Sequence, residues 1–266
     1  MHAPAKIIPS ELLMMAYRSG IFPMADSRDD QEIYWVEPRE RAVIPLDGLK
    51  VSRSLAKAIR QDRFHVTCNA DFESVIDACA APRAGHPESW ISGRIAASYR
   101  ALHRDGFAHS IECWLDGELA GGLYGVGFDR AFCGESMFSR ETDASKVALA
   151  WLVALLRHGR YRLLDCQFMT EHLASLGAVP MSRDDYLARL ADAVGGGSAP
   201  PLPQAYASLL GAAGAAVSGV GVGVGVGAAV GAAEGAAAGA RSSPSPLAAG
   251  SSSPGKLILQ SLTQTS

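Results

Sequence analysis

The 266-residue sequence is poor in cysteine, and its five cysteines form no CxxC pair. An odd number of isolated cysteines argues against a disulfide framework and against a structural zinc site, so reduced thiols are the simplest interpretation. The seven histidines form no HxH or HExxH pattern, and we therefore expect no metal site. The N-terminus lacks the long apolar stretch of a signal peptide, which favours a cytoplasmic protein.

The sequence also lacks an excess of positive charge. It contains 24 Lys and Arg residues against 27 Asp and Glu residues, which gives a net charge of -3. A general nucleic-acid binder is usually strongly basic, so any contact with RNA must come from a local patch. No GxGxxG or GxxxxGK motif follows a predicted strand, and this absence excludes a doubly wound nucleotide-binding fold.

Apolar periodicity predicts alternating helices and strands over the first 194 residues. A short helix and a Pro-rich stretch in residues 1–48 indicate a small N-terminal α/β domain. Residues 49–194 follow the order β-α-α-β-β-β-α-β-α with a central hairpin, which predicts an α+β domain on a mixed sheet. The clearest helix runs over residues 143–158, and a short buried strand is expected at 162–168.

The last part of the chain, residues 195–266, is rich in Gly, Ala and Ser. Its alternating glycines offer little apolar area and a high cost of ordering, so the composition favours a disordered extension over a membrane span. We therefore expect no membrane contact. The final segment, KLILQSLTQTS at 256–266, is apolar again and is expected to dock on the core as an edge strand.

Three polar residues interrupt otherwise apolar strands. Asp165 and Gln167 alternate with Cys166 and would share one face of their strand, and Glu135 follows Gly134 in another strand. Buried polar groups are costly unless they are paired. Each residue is therefore either a hydrogen-bonded partner in the core or part of a site, where a carboxylate can act as a base and an amide can hold a carbonyl or an amine.

A predicted helix near residues 52–63 carries a basic stripe, because Arg53, Lys57 and Arg60 fall at i, i+4 and i+7. The stripe is either a solvated helix face or a local contact for RNA phosphates. Several aromatic residues near polar ones are either core residues or the wall of an apolar pocket: Tyr17, Trp35, Trp90, Tyr99 and Phe132.

Taken together, five segments resemble the bacterial leucyl/phenylalanyl-tRNA–protein transferase family. The resemblance implies a small N-terminal domain joined to a GNAT-like acyltransferase domain, which uses no acetyl-CoA or other cofactor and acts as a monomer. The matching segments are YRSGIFPM (17–24), YWVEPRERAVIPLDGLKVSRSL (34–55), WISGRIAASYRALHRDGFAHSIECW (90–114), GGLYGVGFDRAFCGESMFSRETDASKVAL (121–149) and LLDCQFMTEHLASLGA (163–178). The long C-terminal region has no counterpart in this resemblance.

The resemblance implies transfer of leucine or phenylalanine, and less readily methionine, from aminoacyl-tRNA to a protein N-terminus that begins with Arg or Lys. The product is a destabilising N-terminus that marks the protein for degradation. Two alternatives stay open: a related GNAT-fold, aminoacyl-tRNA-dependent ligase that acts on a different amine, such as a lipid-linked one, and a non-catalytic tRNA-binding module.

The resemblance also assigns site residues. Gln167 would position the attacking amine and help to deprotonate it while Asp165 polarises the amide, although a direct base role for Asp165 is equally open. Glu135 would recognise the cationic acceptor. The basic stripe would bind the tRNA acceptor stem. The side-chain pocket would contain Met24, Trp90, Tyr99, Phe132 and Leu152.

Two of these pocket positions depart from the family pattern. Many members have Trp in place of Met24 and Phe in place of Leu152. Both residues are smaller or more flexible than the aromatic side chain that they replace, so the preference between leucine and phenylalanine stays open.

Overall fold

The computed structural model describes residues 7–82, 88–218 and 253–263, with side chains omitted over 212–218. Its helices are α1 (Ser10–Arg18), α2 (Arg53–Arg60), α3 (Phe72–Ala80), α4 (Gly93–Arg104), α5 (Ala144–His158), α6 (Glu171–Ser175), α7 (Arg183–Gly195), α8 (Leu202–Ser218) and α9 (Pro254–Thr263). Its strands are β1 (Phe22–Met24), β2 (Tyr34–Val36), β3 (Glu40–Val43), β4 (His65–Cys68), β5 (Ala108–Leu115), β6 (Glu118–Phe128), β7 (Ala131–Ser139), β8 (Leu163–Asp165) and β9 (Val179–Ser182).

A seven-stranded sheet in the order β4-β5-β6-β7-β8-β3-β9 forms the centre of the molecule, and β1 and β2 pair separately. The β7–β8 pair is parallel and the other neighbouring pairs are antiparallel, so the sheet is mixed. One apolar cluster joins the sheet to α1, α3, α4 and α7, and a second joins it to α2, α5, α8 and α9. This arrangement confirms the predicted α+β class.

Local sequence signals explain several element boundaries. The side chains of Ser52, Asp71 and Ser92 each accept a backbone N–H bond three residues ahead and so cap α2, α3 and α4. Asp116 and Gly117 both have positive φ, at 51° and 85°. Such a pair is typical of the two-residue turn that joins β5 to β6, and the predicted hairpin is confirmed.

The segment Gly134–Lys146 runs from the middle of β7 into the first turn of α5. Ser139 Oγ accepts the backbone N–H of Ser145 at 3.2 Å, which fixes the turn between the two elements. A Cβ atom on Gly121 would lie 2.6 Å from the Ala144 Cβ, so only glycine lets β6 pack this closely on the start of α5. The segment therefore has a structural function in addition to carrying Glu135.

The expected strand at 162–168 is wrong in its extent, because β8 ends at Asp165. Gln167 has a left-handed backbone with φ of 58°, which a continuing strand excludes. The Gln167 carbonyl still accepts the Ala42 N–H of β3 at 3.0 Å. The chain thus leaves the sheet on the β7 side while it stays attached to β3.

The C-terminal expectations need correction over the described residues. Helix α8 lies in the region expected to be disordered, and its Leu202 and Ala205 are buried. The last segment forms helix α9 and not an edge strand, because Ile258, Leu259 and Leu262 recur with helical spacing and pack on the core. The rest of the expected disorder, including residues 219–252, lies outside the described residues. No helix in the described ranges is both long and apolar enough to cross a membrane.

Candidate active site

The site lies where β7 and β8 part. Their parallel pairing ends at Cys133 and Asp165. On the other side of β7, Tyr124 pairs with Ser136 and its neighbour Gly125 pairs with Gly134, so Glu135 is the extra residue of a β-bulge. Bulges of this kind re-aim side chains next to functional sites. The bulge and the end of β8 together bring Glu135 and Gln167 into hydrogen-bonding contact.

Glu135 is buried and is held by three neutral donors. Its Oε1 accepts from Tyr17 Oη at 2.8 Å and from Gln167 Nε2 at 2.9 Å, and its Oε2 accepts from Tyr99 Oη at 3.1 Å. Burial raises the pKa of Glu135 to about 8, and the tyrosine hydrogen bonds only partly counteract this effect. The carboxyl group therefore titrates near neutral pH.

Tyr17 of α1 and Tyr99 of α4 form a donor pair behind Glu135, and their hydroxyls also hydrogen-bond to each other. Both rings are fully buried. Burial, followed by the charge of Glu135, raises the pKa of both hydroxyls well above its usual range, so they act as neutral donors. The N-terminal helix α1 is thereby tied to the site.

Asp165 is fully buried and has a different set of partners. Its Oδ2 accepts from Arg41 at 2.8 Å and from Tyr186 Oη at 3.0 Å, and its Oδ1 accepts the Gln167 backbone N–H at 2.9 Å. This last bond holds Gln167 in its left-handed conformation. Asp165 thus fixes the position of Gln167 through the main chain.

Arg41 of β3 is the buried cation that faces Asp165, with only 2% of its side chain exposed. Burial lowers the pKa of Arg41, but the neighbouring Asp165 and Tyr186 more than offset this and the net direction is upward. The guanidinium lies 4.9 Å from the Phe22 ring centroid and 4.3 Å from that of Tyr186. Its Nε and Nη1 atoms have no hydrogen-bond partner within the described residues.

Two adjoining cavities, of about 270 and 190 Å³, open onto the Glu135–Gln167 pair. Leu152 lines the larger cavity, and Met24 and Trp90 line the smaller one. The residues common to both walls are Glu135, Cys166, Gln167, Thr170 and Leu173. Asp165 lines neither cavity.

Two of the five expected pocket residues lie outside the cavity walls. Tyr99 stands behind Glu135 and contacts it only through its hydroxyl. Phe132 is fully buried and covers Gly125, where a Cβ atom would meet its ring at 2.4 Å. It therefore fills space inside the core and lines neither cavity.

The basic stripe lies apart from the cavities, on α2. Arg53, Lys57 and Arg60 are exposed, and none of them forms an ion pair with another described residue. Lys256 of α9 and Arg60 line the same groove between the two helices. The nearby Arg63 differs, because it pairs with Glu141 at 3.2 Å.

Sequence reasoning missed Arg41 and Tyr186, which hold Asp165 in place. Arg41 could have been found, because it directly precedes the apolar run of residues 42–44. A charged residue next to an apolar strand is the same kind of signal that identified Glu135. Tyr186 gives no such signal, because it is one of several apolar residues along α7. In the described part of the chain, no group of three or more His, Cys, Asp and Glu residues could hold a metal ion.

Comparison with known proteins identifies the family. The sequence model described as "Leucyl/phenylalanyl-tRNA protein transferase" matches residues 43–191, and that of its N-terminal domain matches residues 8–39. Proteins named leucyl/phenylalanyl-tRNA–protein transferase are 60% identical to this chain in three bacteria. The match in Novosphingobium aromaticivorans spans 259 residues, or 97% of each chain. The match in Zymomonas mobilis spans 188 residues (71% of this chain and 70% of the relative), and that in Rhizorhabdus wittichii spans 190 residues (71% and 77%).

The length of the Novosphingobium match corrects one expectation. An alignment of 259 residues must extend well past residue 194, so the C-terminal region does have a counterpart in a relative. The two family models between them cover the N-terminal helix, all strands except residues 40–42 of β3, and both carboxylates of the site. The chain therefore belongs to the leucyl/phenylalanyl-tRNA–protein transferase family.

Proposed function

We propose that the protein transfers leucine or phenylalanine, and less readily methionine, from aminoacyl-tRNA to the N-terminus of acceptor proteins. The acceptors begin with Arg or Lys, and the transfer marks them for degradation. The observation that carries the proposal is the buried Glu135–Gln167 pair, which opens onto two cavities in a chain of this family. The enzyme acts in the cytoplasm as a monomer without a cofactor.

The reaction is the aminolysis of an ester. The α-amino nitrogen of the acceptor attacks the ester carbonyl, a C–N bond forms, the ester C–O bond breaks, and the ribose hydroxyl of the tRNA leaves with the proton. Because Gln167 Nε2 donates to Glu135, the amide carbonyl of Gln167 is the group that can accept an N–H of the attacking amine. Holding the amine in line with the carbonyl supplies the proximity that this reaction needs.

Asp165 acts as a positioning residue for Gln167. It is fully buried, lines neither cavity and already accepts bonds from Arg41, Tyr186 and the Gln167 main chain. These contacts favour this function over direct contact between Asp165 and the amine. The hydrogen-bonded Arg41 holds the carboxylate in place, so the geometry of Gln167 is set before substrates bind.

Glu135 recognises the cationic acceptor. With a pKa of about 8, the carboxyl group is mainly protonated in the free protein at neutral pH. A cation beside Glu135 stabilises the ionised carboxylate, so binding of an Arg or Lys N-terminus releases a proton from it at neutral pH.

The transferred side chain lies against the apolar walls of the cavities beside Glu135 and Gln167. Leu152 lies on one cavity and Met24 and Trp90 lie on the other, and leucine, phenylalanine and methionine are apolar side chains that such walls accommodate. The exposed, unpaired stripe of Arg53, Lys57 and Arg60 binds phosphates of the tRNA acceptor stem.

The catalytic region, residues 49–194, is proposed to have a GNAT-like fold beside a small N-terminal domain of residues 1–48. The mixed sheet and the parting of parallel strands β7 and β8 beyond Asp165 support this assignment. Strands that stop pairing leave a gap in the sheet in which an extended acceptor peptide can lie.

The test is transfer of radiolabelled phenylalanine from Phe-tRNA to a peptide that begins with Arg. We expect labelled peptide with the wild-type protein and a loss of turnover of about 100-fold in Gln167→Ala, because one aligned polar contact is lost. Asp165→Asn should also reduce turnover strongly, and neither change should alter tRNA affinity. Gln204→Ala, an exposed change on α8, is the matched control and should behave like wild type.

Two results would overturn the proposal. Label on a lipid-linked amine and none on Arg or Lys peptides would indicate a ligase for another acceptor. Binding of Phe-tRNA without transfer to any amine would indicate a non-catalytic tRNA-binding module. Wild-type turnover in Gln167→Ala would refute the assignment of that residue.

A further inference from the structure

Helix α9 is docked tightly on the basic helix α2. A Cβ atom on Gly255 would lie 1.8 Å from the Ile59 carbonyl oxygen, so only glycine permits the observed approach. The Gly255 N–H donates to Asp62 Oδ1 at 2.7 Å, and Ile258 is buried against the core. At the other end of α9, the Leu262 carbonyl accepts from Arg157 at 3.2 Å. The docking is therefore specific at both ends of the helix.

The exposed side of α9 borders a groove that Arg60 of the basic stripe also lines. Lys256, Gln260 and Thr263 are exposed and fall at i, i+4 and i+7, so they form one polar stripe. All three line the groove of about 510 Å³ between α2 and α9, together with Arg60. Among the described residues, no acidic side chain lines this groove. Lys256 forms no ion pair with any described residue.

We propose that α9 is part of the tRNA-binding surface, and that Arg60 and Lys256 together bind one stretch of the sugar–phosphate backbone of aminoacyl-tRNA. This inference rests on the proposed function. The groove fits the ligand, since two unpaired cations face it while Gln260 and Thr263 can hydrogen-bond to phosphate or ribose oxygens. The surface then combines residues of α2 with residues of the C-terminus.

The α2 stripe alone is short. The seven steps from Arg53 to Arg60 advance about 10 Å along a helix, which is the length of only a few nucleotides of backbone. Packed helices lie about 8–10 Å apart, so α9 roughly doubles the width of the cationic surface. A second helix also fixes the direction in which the RNA strand crosses α2, which a single stripe of flexible side chains does not.

The test compares binding of Phe-tRNA to full-length variants over a range of salt concentrations. We expect Lys256→Glu to weaken binding roughly tenfold at about 50 mM salt and to reduce the slope of log K against log salt by about 1. Arg104→Glu makes the same charge change on α4, which packs in the other apolar cluster, and should bind like wild type. Gly255→Val, which forces α9 away from α2, should weaken binding at least as much as Lys256→Glu.

Each outcome separates this inference from the proposed function. Wild-type affinity in both Lys256→Glu and Gly255→Val would overturn the inference, while peptide labelling by those variants would leave the transferase function intact. Equal losses in Lys256→Glu and Arg104→Glu would also overturn it, because overall charge would then explain the effect. Binding of the wild type to anionic phospholipid vesicles, lost in Lys256→Glu without any change in tRNA affinity, would assign the groove to a membrane surface instead.

Discussion

Two buried carboxylates lie on either side of the gap between β7 and β8, and their surroundings differ. Glu135 faces the cavities, and its donors among the described residues are neutral: Tyr17, Tyr99 and Gln167. Asp165 faces away from the cavities and has a cation, Arg41, at 2.8 Å. The extent of burial does not distinguish them, since both side chains are at least nine-tenths buried.

The comparison shows how the position of one buried cation can give two nearby carboxylates different properties. Glu135 has no hydrogen-bonded cation, and burial raises its pKa to about 8 even though the charge of Arg41 counteracts part of the shift, so this residue can gain or lose a proton near neutral pH. With Arg41, Asp165 is part of an ion pair whose remaining oxygen holds the Gln167 main chain. In the proposed reaction, Glu135 responds to the substrate and Asp165 positions the Gln167 amide that contacts it.

The largest effect is expected from removing the cation. Arg41→Met leaves Asp165 buried without its counter-charge, and we expect the free energy of unfolding to fall by about 3–5 kcal/mol. Urea unfolding followed by circular dichroism measures this loss. Arg189→Met, at an arginine that forms no ion pair with another described residue, is the matched control and should change stability by less than about 0.5 kcal/mol.

A double substitution sharpens this prediction. If the cost comes from the uncompensated carboxylate, Arg41→Met combined with Asp165→Asn should be more stable than Arg41→Met alone. If the double variant instead loses as much stability as the two single variants lose together, the ion pair has no special part in holding Asp165. Transfer activity should remain low in the double variant, because the charged anchor of Gln167 is gone.

The next effect is a pH dependence that belongs to Glu135. Its pKa is about 8 in the folded protein and 4.5 ordinarily, so between these values the folded state binds one more proton than the unfolded state. Stability then falls as pH rises through this window, by up to about 1.4 kcal/mol per pH unit. Glu135→Gln should remove this component of the slope in urea unfolding measured from pH 5 to pH 8. An unchanged slope would contradict the raised pKa.

The sequence singled out the polar residues that the structure brings together, but it did not predict the local backbone that positions them. Glu135, Asp165 and Gln167 were identifiable as polar residues inside apolar runs, and the structure brings them together. The bulge at Glu135 and the left-handed turn at Gln167 were not predictable, because both depend on where β7 stops pairing with its two neighbours. Register between strands is a tertiary property that one strand does not encode.

The C-terminal region shows a second limit. Composition predicted disorder over residues 195–266, yet α8 and α9 both pack on the core. Composition averages over a long window, whereas docking of α9 depends on one glycine at Gly255 and a three-residue apolar face. Arg41 was missed for a related reason, since its partner Asp165 lies 124 residues away in the chain.

The smallest effect is expected from removing one hydroxyl that donates to Glu135. The comparison is with a neighbouring tyrosine whose hydroxyl does not donate to Glu135. Tyr99→Phe removes the 3.1 Å bond to Glu135 Oε2, and we expect a loss of about 1–3 kcal/mol of stability and a further rise in the pKa of Glu135. Tyr124→Phe is the matched control, because its buried hydroxyl has no hydrogen-bond partner in the described part of the chain and its loss should be neutral or stabilising. The two variants remove the same atom from rings whose centroids lie 5.5 Å apart. Equal losses would mean that packing, and not hydrogen bonding, sets the cost, whereas a loss confined to Tyr99→Phe would assign it to the hydrogen bonds of the Tyr99 hydroxyl with Glu135 and Tyr17.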